Sequence, residues 1–468
     1  METNQQFDVC IIGAGVAGGV MAAYLGQHGL SVAVVEKNMA EQERMIGELL
    51  QPGGVIKLHE LGLEHLLDEL DAQQIEGYGL FMNGDNFKIS YPKQNGQTIT
   101  GRGLRNGKFV QRIRQHILAI PSVTVFEGSV NQLMEEQDRV TGIKYTPKHG
   151  EEENCIAATL TIVCDGMFSS FRGQLSAGEK KVSSYFMGMI LKDCNLPFKN
   201  HGHVVVAKPS PCLIYPISST ETRILIDFPG NEAPRKSAEL TAYLSETIAP
   251  QLPVEILPSF TAALTEGKFK VMPNHLIPAR PFKKYGVAMI GDSLNMRHPL
   301  TGGGMTAAFS DILNLGSRLV ALGNFAEAEL IDSAVKDFYA NRHKQNATIN
   351  ILADALYGVM QNEDLKVACY DYLKSGGKRA LGPISILSAV SRDEQLLLRH
   401  FFAVAFYGVG GIMKPFPTPA RIGRSFKLLQ HAVQIVKPLV MNEHPNLITR
   451  SAFKMAGVLF SDPQLIET

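Results

Sequence analysis

The sequence lacks a C-x-x-C pair, a signal peptide and any excess of charge of one sign. Its six cysteines are scattered over 468 residues, a pattern typical of a reduced, intracellular protein. The leader METNQQ has no cationic region followed by an apolar one, so no signal peptide is expected. The 45 basic residues balance the 45 acidic residues, which gives no indication of a nucleic-acid partner. No metal site, internal repeat or His/Asp/Ser catalytic cluster is predicted.

The first informative pattern is a glycine-rich turn near the N-terminus. Phe7–Ile12 is an apolar run suited to a central strand, and Gly13-Ala14-Gly15-Val16-Ala17-Gly18 opens the predicted helix Val16–His28. A second β-rich run, Ser31–Val35, ends at Glu36, 23 residues after Gly13. This βαβ unit predicts a dinucleotide site, with the pyrophosphate at the helix N-terminus and Glu36 on a ribose.

A second turn far along the chain narrows the type of dinucleotide. The apolar run Val287–Gly291 is followed by DSLNMRHPLTGGGM, residues Asp292–Met305, and then by a predicted helix, Gly303–Leu322. Asp292 is placed to accept hydrogen bonds from ribityl hydroxyls, and the N–H groups of Gly302–Met305 to face a pyrimidine carbonyl. Asp165-Gly166, after the strand Leu160–Cys164, is a weaker signal of the same kind. One long cofactor held from both ends indicates FAD.

The rest of the chain predicts an α/β protein with three kinds of region. We expect residues 1–80, 161–180 and 281–330 to form a Rossmann-like FAD domain and residues 181–280 a β-rich substrate domain, with 81–160 completing both. Residues 180–275 include the strand-like runs His203–Ala207, Cys212–Ile217 and Thr222–Phe228, expected to be antiparallel. Phe109–Ala119 is expected to be a basic helix, and residues 331–468 to be helical and membrane-associated.

Several segments resemble one family of flavoproteins. The order of Gly13–Gly18, Asp165-Gly166 and Gly291-Asp292 is that of class A flavoprotein monooxygenases. More specific segments, running from about residue 7 to 440, resemble squalene monooxygenases (squalene epoxidases): Arg44–Gly54, Leu70–Ala72, Gly77-Tyr78, Pro211–Tyr215, Asn295–Met305 and His400–Ala405.

The resemblance implies epoxidation of squalene to (S)-2,3-oxidosqualene with O2 through a flavin C4a-hydroperoxide, which requires a dry pocket. It implies FAD as the cofactor, with electrons from NADPH directly or through a reductase partner. The predicted cofactor set is Gly13, Ala14, Gly15, Val16, Ala17, Gly18, Glu36, Lys37, Arg44, Glu48, Arg114, Asp165, Gly166, Asp292, Gly304 and Met305. Tyr78, hydrogen-bonded to Gln51, is expected near the flavin in an orienting role. The predicted pocket lining is Leu213, Tyr215, Pro299 and His400.

The C-terminal region suggests a lipid substrate. The segment from Leu396 to Phe460 contains eight lysines and arginines and one acidic residue, Glu443, which gives a local charge of +7. Leu396–Met413 is mostly apolar but too interrupted to predict a transmembrane span, and Ser425–Met441 carries helical apolar spacing that Pro438 is expected to interrupt. We expect monotopic attachment to an intracellular membrane surface, with a buried helix pair as the alternative.

Other interpretations of these residues remain open. Asp292 is also a common helix cap, Asp165-Gly166 an ordinary turn, and Tyr78 or His400 a buried structural residue. Eukaryotic family members carry an N-terminal membrane segment, and either a truncation or a lineage without that segment is consistent with this chain. A geranylgeranyl reductase-like flavoprotein would act without oxygen. Oxygen consumption together with epoxide formation would therefore distinguish a squalene monooxygenase from this alternative. A prenyl-group carrier of the GDP-dissociation-inhibitor type would not retain flavin, so absorbance at roughly 450 nm separates that alternative.

Overall fold

The computed structural model describes residues 5–443 apart from 95, 231 and 324. The predictions on Arg450, Lys454 and the rest of residues 444–468 therefore lie outside the described part of the chain. The strands are β1 (Gln5–Ile12), β2 (Val32–Glu36), β3 (Leu49–Leu50), β4 (Gln73–Ile75), β5 (Gly77–Met82), β6 (Asp85–Ser90), β7 (Lys93–Gln94), β8 (Gln97–Thr98), β9 (Gly101–Gly103), β10 (Val123–Glu136), β11 (Arg139–Pro147), β12 (Asn154–Val163), β13 (Lys181–Lys192), β14 (Gly202–Val205), β15 (Cys212–Pro216), β16 (Glu221–Pro229), β17 (Lys270–Leu276) and β18 (Val287–Met289).

The helices connect these strands and then form the last third of the described chain. They are α1 (Val16–Gln27), α2 (Pro52–Glu60), α3 (Asn106–Leu118), α4 (Arg172–Leu175), α5 (Ala238–Tyr243), α6 (Leu257–Glu266), α7 (Gly304–Leu322), α8 (Ala328–Asn341), α9 (His343–Met360), α10 (Glu363–Lys374), α11 (Lys378–Leu387), α12 (Glu394–Ile412) and α13 (Pro419–Glu443). The predicted helices and strands are confirmed, with ends that differ by a few residues.

The first sheet has the parallel arrangement expected of a dinucleotide-binding fold. Strands β10, β2, β1, β12 and β18 lie side by side in parallel, and the second half of β10 pairs antiparallel with β11. The parallel strands are buried on both faces, because α1, α3 and α7 cover one face and a second apolar cluster covers the other. The carboxyl ends of β1, β12 and β18 therefore meet at one edge, where the three predicted cofactor turns follow.

The second sheet separates two apolar layers, because successive side chains along its strands point to opposite faces. Its strand order is β17, β13, β16, β15, β14, β5 and β6, with β14 and β5 parallel and the remaining pairs antiparallel. Met187, Ile214 and Ile226 point to one side and pack on α5 and α6. Phe186, Leu213 and Leu225 point to the other, toward the C-terminal helices. The boundary predicted at residue 80 falls inside β5, which belongs to this sheet.

As far as Glu443, the C-terminal helices confirm the predicted helical region, and one detail of the prediction is wrong. The expectation that Pro438 interrupts the last helix is wrong, because α13 continues through it. Pro438 lies on the exposed side of α13, where water can satisfy the carbonyl that its ring leaves without a donor. Within the described residues, α12 is the helix long and apolar enough to cross a membrane by length and composition.

One buried ion pair joins the segment that leads into β3 to the second sheet. Glu48 lies just before β3, and both of its carboxylate oxygens accept from Arg223 of β16, at 2.7 Å from Nε and 2.9 Å from Nη2. Both side chains are almost fully buried, with 5% of Arg223 and 2% of Glu48 exposed. A bidentate pair in such a site fixes the relative position of the segments that carry it.

We expect Glu48→Ala to lower the free energy of unfolding by about 3–5 kcal/mol, because it leaves the Arg223 charge buried and unpaired. Glu43→Ala is the matched control, since Glu43 pairs with Lys270 at 2.9 Å with both side chains 55% exposed. That change should cost less than about 1 kcal/mol. Denaturant unfolding measures the free energy of unfolding of both variants. Equal losses of stability would contradict a structural role for the buried pair.

Candidate active site

The glycine-rich turn between β1 and α1 is closed on two sides and open on the third. Gly13 has φ +98°, and a Cβ there would lie 2.8 Å from the carbonyl oxygen of Cys164. A Cβ on Gly18 would lie 1.9 Å from the carbonyl oxygen of Gly13. A Cβ on Gly15, in contrast, would meet no described protein atom within 4 Å. The open side lies at the helix N-terminus, where Val16 and Ala17 begin α1 and backbone N–H groups are free for a pyrophosphate.

Glu36 and Arg114 hold this turn in place from two sides. Glu36 Oε2 accepts from the backbone N–H of Ala14 at 2.8 Å. Arg114, 4% exposed, donates from Nε to the carbonyl oxygen of Ala14 at 3.0 Å and from Nη1 to that of Ala40 at 3.1 Å. Burial lowers the pKa of Arg114, and the neighbouring Glu36 opposes that shift. Lys37, the next residue, is exposed at the rim.

The two acidic turns, Asp165-Gly166 and Gly291-Asp292, lie side by side. Asp165 Oδ2 accepts from the N–H of Ser170 at 3.0 Å, while its Oδ1 is buried without a described hydrogen-bond partner. Burial among protein atoms raises the pKa of Asp292, although its side chain remains accessible, as in an internal cleft. Arg297, Arg44 and Arg172 act on that pKa in the opposite direction.

Arg172 joins these two turns, and the sequence pattern gave no indication of it. Its guanidinium donates to the carbonyl oxygens of Gly166 and Met167 at 3.1 Å, Asp292 at 3.0 Å and Ser293 at 2.9 Å. Arginine presents donors in a fixed planar fork that suits several acceptors at once. The turns after β12 and β18 are therefore tied to each other by one side chain from α4.

Arg44 and Glu48 lie on the same segment but have different surroundings. Arg44 is exposed, and its charge opposes the rise that burial causes in the pKa of Asp292. The carboxylate of Glu48 is engaged by Arg223, as described above. The predicted cofactor contact of Glu48 therefore remains a prediction, while the observed partner of its carboxylate is Arg223.

The start of α7 has the features of a site for a ligand carbonyl. Gly302 has φ +63°, and a Cβ on Gly304 would meet nothing within 4 Å. The hydroxyls of Thr301 and Thr306 are buried without hydrogen-bond partners among the described residues. Met305 is buried beside them, with 7% of its surface exposed. Together with Gly15 and Asp165 Oδ1, these open positions and unpartnered atoms fit FAD, which would be held at both turns.

Gln51 connects the start of α7 to the second sheet. Its Nε2 donates to the carbonyl oxygen of Thr301 at 2.7 Å and to the hydroxyl of Tyr78 at 2.6 Å. Its Oε1 accepts from the hydroxyl of Tyr91 at 2.8 Å, and the two tyrosine rings meet edge to face at 5.8 Å. Burial raises the pKa of Tyr78, while its bonds with Gln51 and Tyr91 act in the opposite direction. The Tyr78 hydroxyl therefore stays protonated and oriented.

The predicted pocket residues border one apolar layer. Leu213 and Tyr215 of β15 are 8% and 5% exposed and share a cluster with Leu300. Pro299, half-buried, starts the short 3-10 turn Pro299–Thr301. His400 of α12 bonds through Nδ1 to the Tyr372 hydroxyl at 2.9 Å, and Tyr372 belongs to the same cluster. Burial lowers the pKa of His400.

Functional residues that sequence reasoning missed share a common property. Tyr91, Arg172 and Arg223 bind partners that are distant in the chain, so no local spacing connects them. The available signal was indirect. A basic residue within or just after a strand that is otherwise apolar predicts a buried partner, and Arg223 in Thr222–Phe228 is such a residue.

Comparison with known proteins gives consistent similarities. A squalene epoxidase family model matches residues 157–423, and a glucose-inhibited division protein A model matches residues 8–191. The chain is 45% identical over 444 residues to squalene epoxidase 1 of Arabidopsis thaliana, covering 93% of this chain and 83% of that protein. It is 38% identical to squalene monooxygenase of Mus musculus, covering 94% and 78%. It is 36% identical to squalene epoxidase erg1 of Schizosaccharomyces pombe, covering 94% and 99%.

Solved structures show the same fold at lower identity. A flavoprotein/dehydrogenase from Cytophaga hutchinsonii aligns with a TM-score of 0.69 at 18% identity, covering 87% of this chain and all of that one, 100%. PqsL, a probable FAD-dependent monooxygenase from Pseudomonas aeruginosa, aligns with a TM-score of 0.64 at 20% identity, covering 78% and 100%. These likenesses confirm the fold class of a Rossmann-like FAD domain joined to a second sheet.

We expect Gly15→Ala to weaken FAD binding at least tenfold while leaving the stability of the cofactor-free protein unchanged. The added methyl meets no protein atom but occupies the open side of the turn. Gly18→Ala is the comparison, because its methyl would collide with the turn itself and lower the melting temperature. Flavin titration and thermal unfolding measure the two effects, and a Gly15→Ala variant with normal flavin affinity would show that the turn does not hold the cofactor.

Proposed function

The chain belongs to the squalene epoxidase family, and on that premise we propose how its own residues support FAD-dependent epoxidation of squalene. The balanced reaction takes squalene, O2, NADPH and a proton to 2,3-oxidosqualene, water and NADP⁺. FAD, when bound and reduced, would supply the activation of O2, one atom of which adds to the alkene while the other leaves as water. The remaining tasks fall to the protein: binding the cofactor, orienting the alkene and excluding water.

The observation that carries this proposal is the position of the apolar layer. Phe186, Leu213 and Leu225 line one face of the second sheet, and Leu300 from the turn before α7 belongs to the same cluster. That turn leads directly into the predicted end of the cofactor site at Gly302–Met305. A hydrocarbon between the sheet and the helices would therefore reach the cofactor without passing through water.

Tyr78 and Gln51 are proposed to mark the end of the apolar layer at which the alkene meets the cofactor. The Gln51 amide uses its donors on Thr301 and Tyr78 and its acceptor on Tyr91, so its orientation is fixed. The neutral Tyr78 hydroxyl is thereby held at the boundary between the turn and the sheet. Electrophilic transfer of oxygen to an alkene needs positioning more than proton transfer, which this arrangement provides.

Membrane attachment is proposed for the paired helices α12 and α13. Phe406, Phe416 and Ile422 are large apolar side chains that are 56%, 74% and 51% exposed. Lys414 and Lys427 lie among them on exposed positions. An exposed apolar surface edged by basic residues is suited to the headgroup boundary of a bilayer, which holds the C30 substrate. The six free cysteines fit the intracellular face of a membrane, that of the endoplasmic reticulum in a eukaryote or the cytoplasmic membrane in a bacterium.

The electron source is proposed to be NADPH acting through a separate reductase. The sequence carries one glycine-rich dinucleotide motif, Gly13–Gly18, and FAD accounts for it. A reductase that delivers electrons to the bound flavin would then be a protein partner. Direct reduction by NADPH in the absence of any reductase would contradict this part of the proposal.

A single turnover tests the function and the role of Tyr78 together. The protein is purified without oxygen, supplied with squalene and one reductive pulse, and then exposed to air, and we expect epoxide in the extract. Tyr78→Phe should bind FAD normally but form epoxide roughly ten- to a hundredfold more slowly. Tyr145→Phe, a buried tyrosine in the outer layer of the first sheet, is the control. Reduced FAD with no epoxide in the wild-type protein would refute the function, and loss of flavin from Tyr78→Phe would make that residue structural.

Sedimentation with vesicles tests the membrane surface. The protein should sediment with vesicles of phosphatidylcholine and phosphatidylserine, and Phe416→Glu should reduce the bound fraction severalfold. Val254→Glu is the matched control, since Val254 is 71% exposed on the α5–α6 side of the second sheet. An equal loss in both variants would argue against a defined attachment surface on α12, α13 and the connection between them, where Phe416 lies.

A further inference from the structure

A buried cluster of polar side chains lies on the face of the second sheet that carries Phe186, Leu213 and Leu225. None of its members has been given a role in the proposed function. We call it the Asp227 cluster; it consists of Ser184, Ser210, Asp227, Asn274, His298 and Tyr357, and Asn274 Nδ2 donates to Ser184 Oγ at 2.8 Å. The Asp227 carboxylate, 1% exposed, accepts from the hydroxyls of Ser184 at 2.6 Å, Tyr357 at 3.2 Å and Ser210. Among the described residues, no lysine or arginine forms an ion pair with it; the nearest basic group is His298 Nε2 at 3.9 Å.

His298 is held neutral and in one tautomer. Its Nδ1 accepts from the backbone N–H of Leu300 at 3.2 Å, so the ring proton belongs on Nε2, which faces Ser184 Oγ at 3.0 Å. Burial lowers the pKa of His298 to about 3. The ring stacks on Tyr357 at 3.8 Å and meets the edge of Phe186 at 5.7 Å, which leaves it a single orientation.

The cluster is connected to Tyr78 through one short turn. At the first end of the turn, the His298 backbone N–H donates to Asp354 Oδ1 at 2.9 Å, and the His298 ring accepts from Leu300. At the other end, the carbonyl oxygen of Thr301 accepts from the Gln51 amide, which also donates to Tyr78. A displacement of the His298 ring would therefore move the acceptor that fixes Gln51.

Burying the Asp227 carboxylate without a lysine or arginine partner lowers the stability of the fold, so packing alone does not explain an aspartate at this position. Burying an ionised group without a cation is unfavourable, and replacement by an apolar residue of similar volume is often neutral or stabilising. The three hydroxyl donors offset this penalty in part and keep the carboxylate an acceptor on every side. The Asp227 carboxylate fixes the orientation of the Ser184 hydroxyl, and through it that of the His298 ring. An apolar residue could not do this.

We propose that Asp227 is a positioning residue for epoxidation: acting through Ser184 and His298, it fixes the turn Pro299–Gly302 and thereby the Gln51 amide that orients Tyr78. The inference rests on the proposed function of the Gln51–Tyr78 pair. Asp227 itself touches neither residue, so its effect passes through the turn. It also links the site to α9, because Tyr357 and Asp354 belong to that helix.

Ser184→Ala and Asp227→Asn are the test variants in the flavin-loaded enzyme. We expect kcat to fall roughly ten- to a hundredfold, with the KM for squalene and the flavin content within twofold of wild type. More reduced flavin should be lost as hydrogen peroxide instead of epoxide. Ser184→Thr, which keeps the hydroxyl, should recover most of the rate. Ser176→Ala is the matched control, a buried serine that donates to the Arg280 carbonyl at 3.0 Å.

A double-mutant cycle separates positioning from general destabilisation. In a Tyr78→Phe background, Ser184→Ala should change kcat less than twofold, because the group that it positions is already absent. A full additional loss of rate, a matching fall in melting temperature, or equal damage from Ser176→Ala would overturn the proposal. Wild-type enzyme that forms no epoxide would refute the proposed function itself, and this inference with it. A normal wild-type rate with unaffected Ser184→Ala and Asp227→Asn variants would refute the inference alone.

Discussion

The seven-stranded sheet has to be buried on both faces, and most of the architecture follows from that constraint. Short helices α5 and α6 cover one face. The other face has no partner within its own part of the chain, so the first domain and helices from residue 343 onward cover it. An apolar layer therefore forms between segments that are distant in sequence. Two polar contacts, Glu48–Arg223 and Gln51–Tyr78, hold the segment around β3 against this sheet.

The cofactor domain was predictable because its signals are local. A strand, a glycine turn and a helix follow each other within 30 residues, so spacing alone indicates their geometry. The acidic turns at Asp165 and Asp292 were recognisable for the same reason, since each follows an apolar strand. Their connection through Arg172 was not, because the guanidinium of one residue binds carbonyl oxygens of segments about 120 residues apart.

The second sheet and the C-terminal helices were predictable as elements and not as an arrangement. The apolar runs indicated strands, but nothing in Thr222–Phe228 showed that Asp227 would accept hydrogen bonds from three other segments. Glu48 shows the same limit. Its family resemblance suggests a cofactor contact, and its observed partner is a strand residue 175 positions later. The sequence predicts that Pro438 interrupts the last helix, but a proline on an exposed helix face need not do so.

Arg172 has a consequence for sequence variation at that position. Its four acceptors are all main-chain carbonyls, so substitutions in the residues that it binds leave its contacts unchanged. The same geometry makes the position itself intolerant, because the single ammonium of a lysine would not reach acceptors on both turns. A change in the surrounding side chains would therefore leave the link between the two turns intact, whereas a change at position 172 itself would remove it, although that position lies outside the recognisable cofactor motifs.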